Sequence, residues 1–183
     1  MASWIKANTR YTLGGWIMSG QWVVFQVNGQ EYALSVDQVV EVLRMASLTP
    51  VAEAPAGFAG ILNLRGYAVP VLDMVQRLAG MKRTAGLDQA IVVVQMDGRL
   101  VGLVVDAVDE VVTLDEASVR PPDKLLGDKN LYLGVARWNQ RVILLVDVEH
   151  LVRNESGAGG ALSDHIGSGS SPDRRPLVEG LYS

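Results

Sequence analysis

The sequence predicts an all-β fold with short helices, built as two pseudo-symmetric small barrels of about five strands each. Three observations carry this expectation. Valine supplies 27 of 183 residues while aromatics supply only 6%, a mix that favours strands. A stretch near residues 23–78 recurs near 92–152. Each copy opens on a two-residue hairpin signal, Asn28-Gly29 and then Asp97-Gly98. Both central positions of a type I′ turn need positive φ, which Asn, Asp and Gly tolerate.

The first half of the repeat aligns Val23–Val42 with Val92–Val111 at a constant offset of 69. Gln26 meets Gln95, Gly29 meets Gly98, Asp37 meets Asp106, and Glu41 meets Glu110. The second half aligns at an offset of 74, with Gly60-Ile61 over Gly134-Val135 and Val69–Asp73 over Ile143–Asp147. In both copies the aspartate ends an apolar strand and opens a short amphipathic stretch. Asp73 and Asp147 therefore read as helix N-caps, and Gly80 as the stop of the first helix. Short strands with tight turns suggest small barrels or sandwiches, and duplication makes two of them. A parallel βαβ sheet would need helical patterns of about 10–15 residues between strands, and neither copy has one.

The chain then divides into a leader at 1–20, a valine-rich domain at 21–152 and a Gly/Ser-rich tail at 153–183. Within the domain the repeat places the first barrel at about 21–80 and the second at about 88–152. The tail lacks the apolar content to offset its ordering entropy and reads as flexible. Trp4 and Trp16 in the leader are candidates for docking on a barrel or on a partner.

Composition removes whole classes of function. Zero cysteines exclude disulfides, thiolate metal sites and cysteine nucleophiles. Two histidines, His150 and His165, are too few for a histidine-rich metal site. A net charge of −4 offers no basic field for phosphate backbones, so no nucleic-acid partner is expected. No apolar run reaches the roughly 18 residues of a membrane-spanning helix, and the N-terminus lacks a signal-peptide pattern. A cytoplasmic location is the expectation. Phosphate-loop, HExxH and G-x-S-x-G patterns are missing, so no catalytic residue, cofactor or metal is assigned. Asp37, Asp73, Asp106 and Asp147 read as capping or turn residues.

One block breaks the repeat. Asn63-Leu64-Arg65-Gly66 lies opposite the unlike Arg137-Trp138-Asn139-Gln140, so the first copy carries something here that the fold does not require of the second. The block reads as a strand end entering a turn, with Gly66 free to take positive φ. Arg65 can be a solvated arginine. It also stands in an otherwise apolar strand from Gly60 to Leu72, and a partly buried arginine demands a carboxylate. Glu41, within the apolar segment Val39–Leu43, is the best candidate in that unit.

These residues resemble a family. Phe25-Gln26-Val27, Glu31–Leu34 and Val39–Val42 look like the opening of a CheW-like adaptor. Gly60–Gly66 followed by Val69-Pro70-Val71-Leu72-Asp73 is similar to its central signature, and Val101–Val108 to its second strand pair. The match covers about residues 21–152. The resemblance implies two five-stranded β-barrels and a stand-alone, non-enzymatic adaptor of bacterial chemosensory arrays. Its implied partners are the cytoplasmic tips of methyl-accepting chemotaxis receptors and the regulatory domain of the CheA histidine kinase. Recruitment from the cytoplasm to membrane-bound receptor arrays follows, without insertion into the membrane. Carried over residue by residue, it implies a receptor-binding surface at Val39, Glu41, Gly60, Asn63 and Arg65, shaped by a Glu41–Arg65 ion pair. It matches no single residue to the kinase face. The family's Asp-Leu-Arg is replaced here by Asp73-Met74-Val75, which leaves open a non-flagellar pathway controlling surface motility or development. An enzyme or small-ligand protein using the groove between the barrels is a further alternative, and it would require a large apolar pocket with perturbed ionisable groups.

Overall fold

The computed structural model describes residues 19–82, 86–122 and 131–153. Of the expected leader at 1–20, the part up to residue 18, with Trp4 and Trp16, lies outside the described residues, as does the expected tail at 153–183 apart from Arg153; Gly20 begins β1 and Arg153 ends α2. In chain order the described elements begin with β1 (Gly20–Val27), β2 (Gln30–Ser35), a 3-10 turn (Val36–Gln38) and β3 (Val39–Arg44). There follow β4 (Phe58–Leu64), β5 (Tyr67–Asp73), α1 (Met74–Ala79), β6 (Ala90–Met96), β7 (Arg99–Val105) and β8 (Ala107–Leu114). A second 3-10 turn (Glu116–Ser118), β9 (Val119–Arg120), β10 (Tyr132–Trp138), β11 (Arg141–Val146) and α2 (Val148–Arg153) complete them.

Local chemistry lies where the sequence puts it. Asn28 and Gly29 have φ of 49° and 76°, and Asp97 and Gly98 have 46° and 77°, so both expected I′ hairpins form. Asp73 accepts from the backbone N–H groups of Val75 and Gln76 and caps α1, which Gly80 ends in the left-handed region. Asp147 accepts from His150 N–H and caps α2.

The strands form a six-stranded sheet, β8-β1-β2-β11-β10-β9, and a five-stranded sheet, β3-β6-β7-β5-β4. Neither sheet is built from one repeat. The expected boundaries at 21–80 and 88–152 follow the sequence copies, whereas the hairpins β1–β2 and β6–β7 are exchanged between the sheets. The exchange takes place at two short connections. Val36–Gln38 forms a single 3-10 turn, and only Asp106 separates β7 from β8. Neither is a two-residue primed turn, and neither folds its strands into a hairpin: β3 does not pair with β2, nor β8 with β7. Each chain segment instead crosses to the other sheet. There β3 pairs with β6, and β8 with β1.

Both sheets close in the same way. After β3 the chain returns along the far edge, where Thr49 N–H donates to Ile61 O at 2.8 Å and Ile61 N–H donates to Thr49 O at 2.9 Å. After β8 it returns as β9, which pairs with β10. The glycines that match across the repeat sit under these returning strands. A Cβ on Gly60 would stand 2.8 Å from Thr49 O, and one on Gly134 would stand 2.9 Å from Arg120 O.

Alternation along the strands sorts side chains into three apolar layers. Ile91 and Val93 point into the five-stranded barrel while Val92 and Val94 point into a layer between the barrels. Ile143 and Leu145 fill the six-stranded barrel while Leu144 and Val146 join the same central layer. Burial on both faces explains the unbroken valine runs, since only one-sided strands need polar residues at every second position. Helices α1 and α2 both cover the central layer through Met74, Val75, Val148 and Leu151. Arg77 of α1 donates to the carbonyl of Leu151 in α2.

Two expected outcomes test this packing. At Gly29 nothing lies within 4 Å of an added Cβ, so Gly29→Ala carries only left-handed strain, about 1–2 kcal/mol. Gly60→Ala adds a backbone clash to a φ of 142° and should destabilise by more than Gly29→Ala in urea unfolding. Equal midpoints for the two variants would contradict the tight seam. Burial in the central layer, with a smaller contribution from Tyr132, pushes the Tyr32 hydroxyl up to about 12. An unfolded tyrosine releases its proton near pH 10. The folded state therefore binds more protons than the unfolded state between those values, and stability should fall as pH rises from about 10. Phenolate absorbance followed alongside unfolding would show whether Tyr32 ionises last.

Candidate functional site

The turn between β4 and β5 uses Arg65 at φ 50° and Gly66 at φ 88°. The equivalent turn between β10 and β11 uses Asn139 at 45° and Gln140 at 67°. Both are two-residue turns of the same left-handed kind, and Asn suits that conformation where Arg does not. Asn63 closes the first turn, its Oδ1 accepting from Gly66 N–H at 2.9 Å. Arginine at a left-handed position costs about 1–2 kcal/mol of local strain. A local rule broken inside an otherwise consistent fold marks a site.

Arg65 meets Glu41 in two parallel hydrogen bonds, Nη1 to Oε1 at 3.1 Å and Nη2 to Oε2 at 3.0 Å. The fork geometry fixes orientation as well as charge. The pair joins β3 to the turn that follows β4, at the same seam that Thr49 and Ile61 close. Its burial differs from the sequence reading. Arg65 stands on the turn rather than within the strand, and its side chain is 60% exposed against 20% for Glu41. Solvent screening therefore limits what the pair adds to stability.

The other expected residues divide. Val39 packs against the central layer and pairs with Val94, with a bulge between it and Glu41. Gly60 is buried at a second bulge, opposite Val71. It lies three residues along β4 from Asn63, about 10 Å at the usual strand rise. Glu41, Asn63 and Arg65 thus gather at one end of the seam, with Val39 beside them on β3 and Gly60 further down. Sequence reasoning missed Val40, Val42 and Tyr67, near the pair in the chain, which are 48%, 45% and 48% exposed; alternation turns the two valines to the face of β3 opposite Glu41. Valines on both sides of Glu41 were the available signal.

It also missed a related cluster on the other barrel. Glu110, the repeat partner of Glu41, accepts from Arg141 Nη1 at 2.6 Å, and Glu31 accepts from Arg141 Nε at 3.1 Å. These bonds, Glu110 first, raise the Arg141 guanidinium above its ordinary range. The arginine comes from the position opposite Tyr67 rather than Arg65, which hid the correspondence. Among the described residues no group of three or more His, Asp or Glu is placed to hold a metal ion, and no helix is long and apolar enough to cross a membrane.

Asparagine at position 65 would relieve the turn and lose an exposed ion pair worth about 0–1 kcal/mol. Arg65→Asn should therefore leave thermal stability unchanged or raise it by up to about 1 kcal/mol. A clear loss of stability in calorimetry would show that the arginine serves the fold.

Residues 21–156 match the family model described as CheW-like domain. Chemotaxis protein CheW of Rhizobium meliloti (strain 1021) is 30% identical over 135 residues, covering 73% of this chain and 87% of the relative. Chemotaxis protein CheW of Klebsiella aerogenes is 29% identical over 148 residues, covering 80% and 89%. Protein FrzA of Myxococcus xanthus is 30% identical over 133 residues, covering 70% and 82%. Among solved structures, the scaffolding protein TtCheW from Thermoanaerobacter tengcongensis superposes with a TM-score of 0.68 at 35% identity, covering 73% of this chain and 92% of that one. With its paired barrels, exchanged hairpins and matching central signature, the chain belongs to the CheW-like family of chemotaxis adaptor and scaffolding proteins.

Proposed function

We propose that the chain is a non-enzymatic adaptor that couples the cytoplasmic tips of methyl-accepting chemotaxis receptors to the regulatory domain of the CheA histidine kinase. It joins membrane-bound receptor arrays from the cytoplasmic side without inserting into the bilayer. The receptor surface is the end of the seam at Glu41, Asn63 and Arg65, continued by Val39 and Gly60. One observation supports this above the others: an exposed arginine is held by a bidentate carboxylate in a turn whose own chemistry favours asparagine. Such a residue adds little to the fold, so its use lies in what it presents. The exposed Val40 and Val42 on the outer face of β3, and Tyr67 at the start of β5, add apolar area to the same region, a combination suited to a protein partner.

The Met74-Val75 departure carries a second reading, an adaptor of a non-flagellar pathway, and protein FrzA is a relative not named for chemotaxis. The two readings share partner classes and differ in output.

Receptor and kinase should be captured together by the chain from native lysate. Arg65→Asn should weaken receptor binding at least about tenfold, or 1.4 kcal/mol, with the fold intact. Glu41→Ala and Arg65→Ala should each weaken it, and the double variant by less than their sum, because the two groups act as a unit. Wild-type receptor binding by Arg65→Asn would remove the pair from the mechanism.

A further inference from the structure

We propose that Asp106 is a positioning residue that fixes the angle between the two barrels. It is the whole of the connection by which the chain passes from β7 in the five-stranded barrel to β8 in the six-stranded one. Its backbone N–H donates to Gln26 O of β1 at 2.9 Å. Its carboxylate then reaches both barrels. Oδ2 accepts from Asn28 N–H, in the β1–β2 turn of the six-stranded barrel, at 2.7 Å. Oδ1 accepts from Gln89 Nε2, at the foot of β6 in the five-stranded barrel, at 3.3 Å. Gln89 is 8% exposed, and its Oε1 accepts from Gly86 N–H at 2.8 Å. That bond fixes which end of the amide faces Asp106.

The repeat makes the role specific. Asp37 is the sequence partner of Asp106, at the other crossing. There the contact is local, Ser35 Oγ accepting from Asp37 N–H at 3.3 Å. Equal residues at equivalent crossings therefore do different work, and only the second ties barrel to barrel through its side chain. The central apolar layer holds the barrels together, but apolar contact is non-directional and permits sliding. Hydrogen bonds with fixed donors on each side do not; Arg77 to the Leu151 carbonyl and Arg153 to Asp97 are further such ties, and Asp106 is the one placed at the chain's own crossing. A carboxylate suits the place because both of its oxygens meet N–H donors. An amide would turn its own NH2 toward one of them.

The chain has no cysteine, so introduced pairs can be spin-labelled without background. Arg44→Cys with Val142→Cys reports across the barrels, since these exposed positions lie on β3 and β11. Thr113→Cys with Val142→Cys reports within the six-stranded barrel. Pulsed electron resonance on the full chain should show Asp106→Asn widening the cross-barrel distance distribution at least about twofold, as expected when one state gives way to several. The within-barrel distribution should stay as in the wild type. Gln89→Leu removes the same tie from the other side and should reproduce the effect, which keeps the test decisive if Asp106→Asn folds poorly. An unchanged cross-barrel distribution in Gln89→Leu, or equal widening within one barrel, would overturn the assignment. No receptor or kinase is present in the measurement, so its outcome is independent of the adaptor reading.

Discussion

Two short connections that pass from one sheet to the other govern this structure. At a 3-10 turn, Val36–Gln38, and at a single residue, Asp106, each repeat gives its opening hairpin to the sheet built by the other. From that exchange come the parallel pairings of β2 with β11 and of β5 with β7. From it also comes the central apolar layer, because the exchanged strands have a barrel on one face and a neighbour barrel on the other. The valine content follows in turn. A strand buried on both faces leaves few positions for polar residues, and β-branched side chains fill such a surface well.

The candidate site obeys a different rule from the core around it. Glu41 and Arg65 stand at the end of a closed seam where desolvation is partial, so their pairing fixes geometry more than it adds free energy. The turn beneath Arg65 is the same device as the turn at Asn139, with the residue that best suits it removed. The corresponding cluster at Glu31, Glu110 and Arg141 shows that the duplicated scaffold can place a charge pair at this level on either barrel with different residues. The scaffold supplies the location, and each copy has filled it in its own way.

Much of this was legible in the sequence because it depends on neighbours in the chain. Hairpin turns at Asn28-Gly29 and Asp97-Gly98, caps at Asp73 and Asp147, and the repeat all follow from spacing and residue type. The Glu41–Arg65 pairing was legible because the repeat exposed an unmatched block. The strand exchange was not legible. Pairing β3 with β2 or with β6 satisfies the same alternation, and the choice rests on the geometry of the link, which residue types at 36–38 do not announce. The exposure of Arg65 was misjudged for a related reason, since its left-handed φ moves it from the strand onto the turn. Asp106 looked like the twin of Asp37 because the donors that distinguish them, at Asn28 and Gln89, are distant in sequence.

The exchanged hairpins have a consequence for how such a chain completes its two barrels. Two copies of one repeat, unlinked, would hold the same contacts only as a swapped dimer, and their assembly would depend on how often they met. The connection from α1 to β6 places both copies on one chain, so the second encounter is intramolecular and dilution no longer opposes it. The duplication thus removes concentration as a variable. A component present in few copies can hold its binding face complete before it finds a partner.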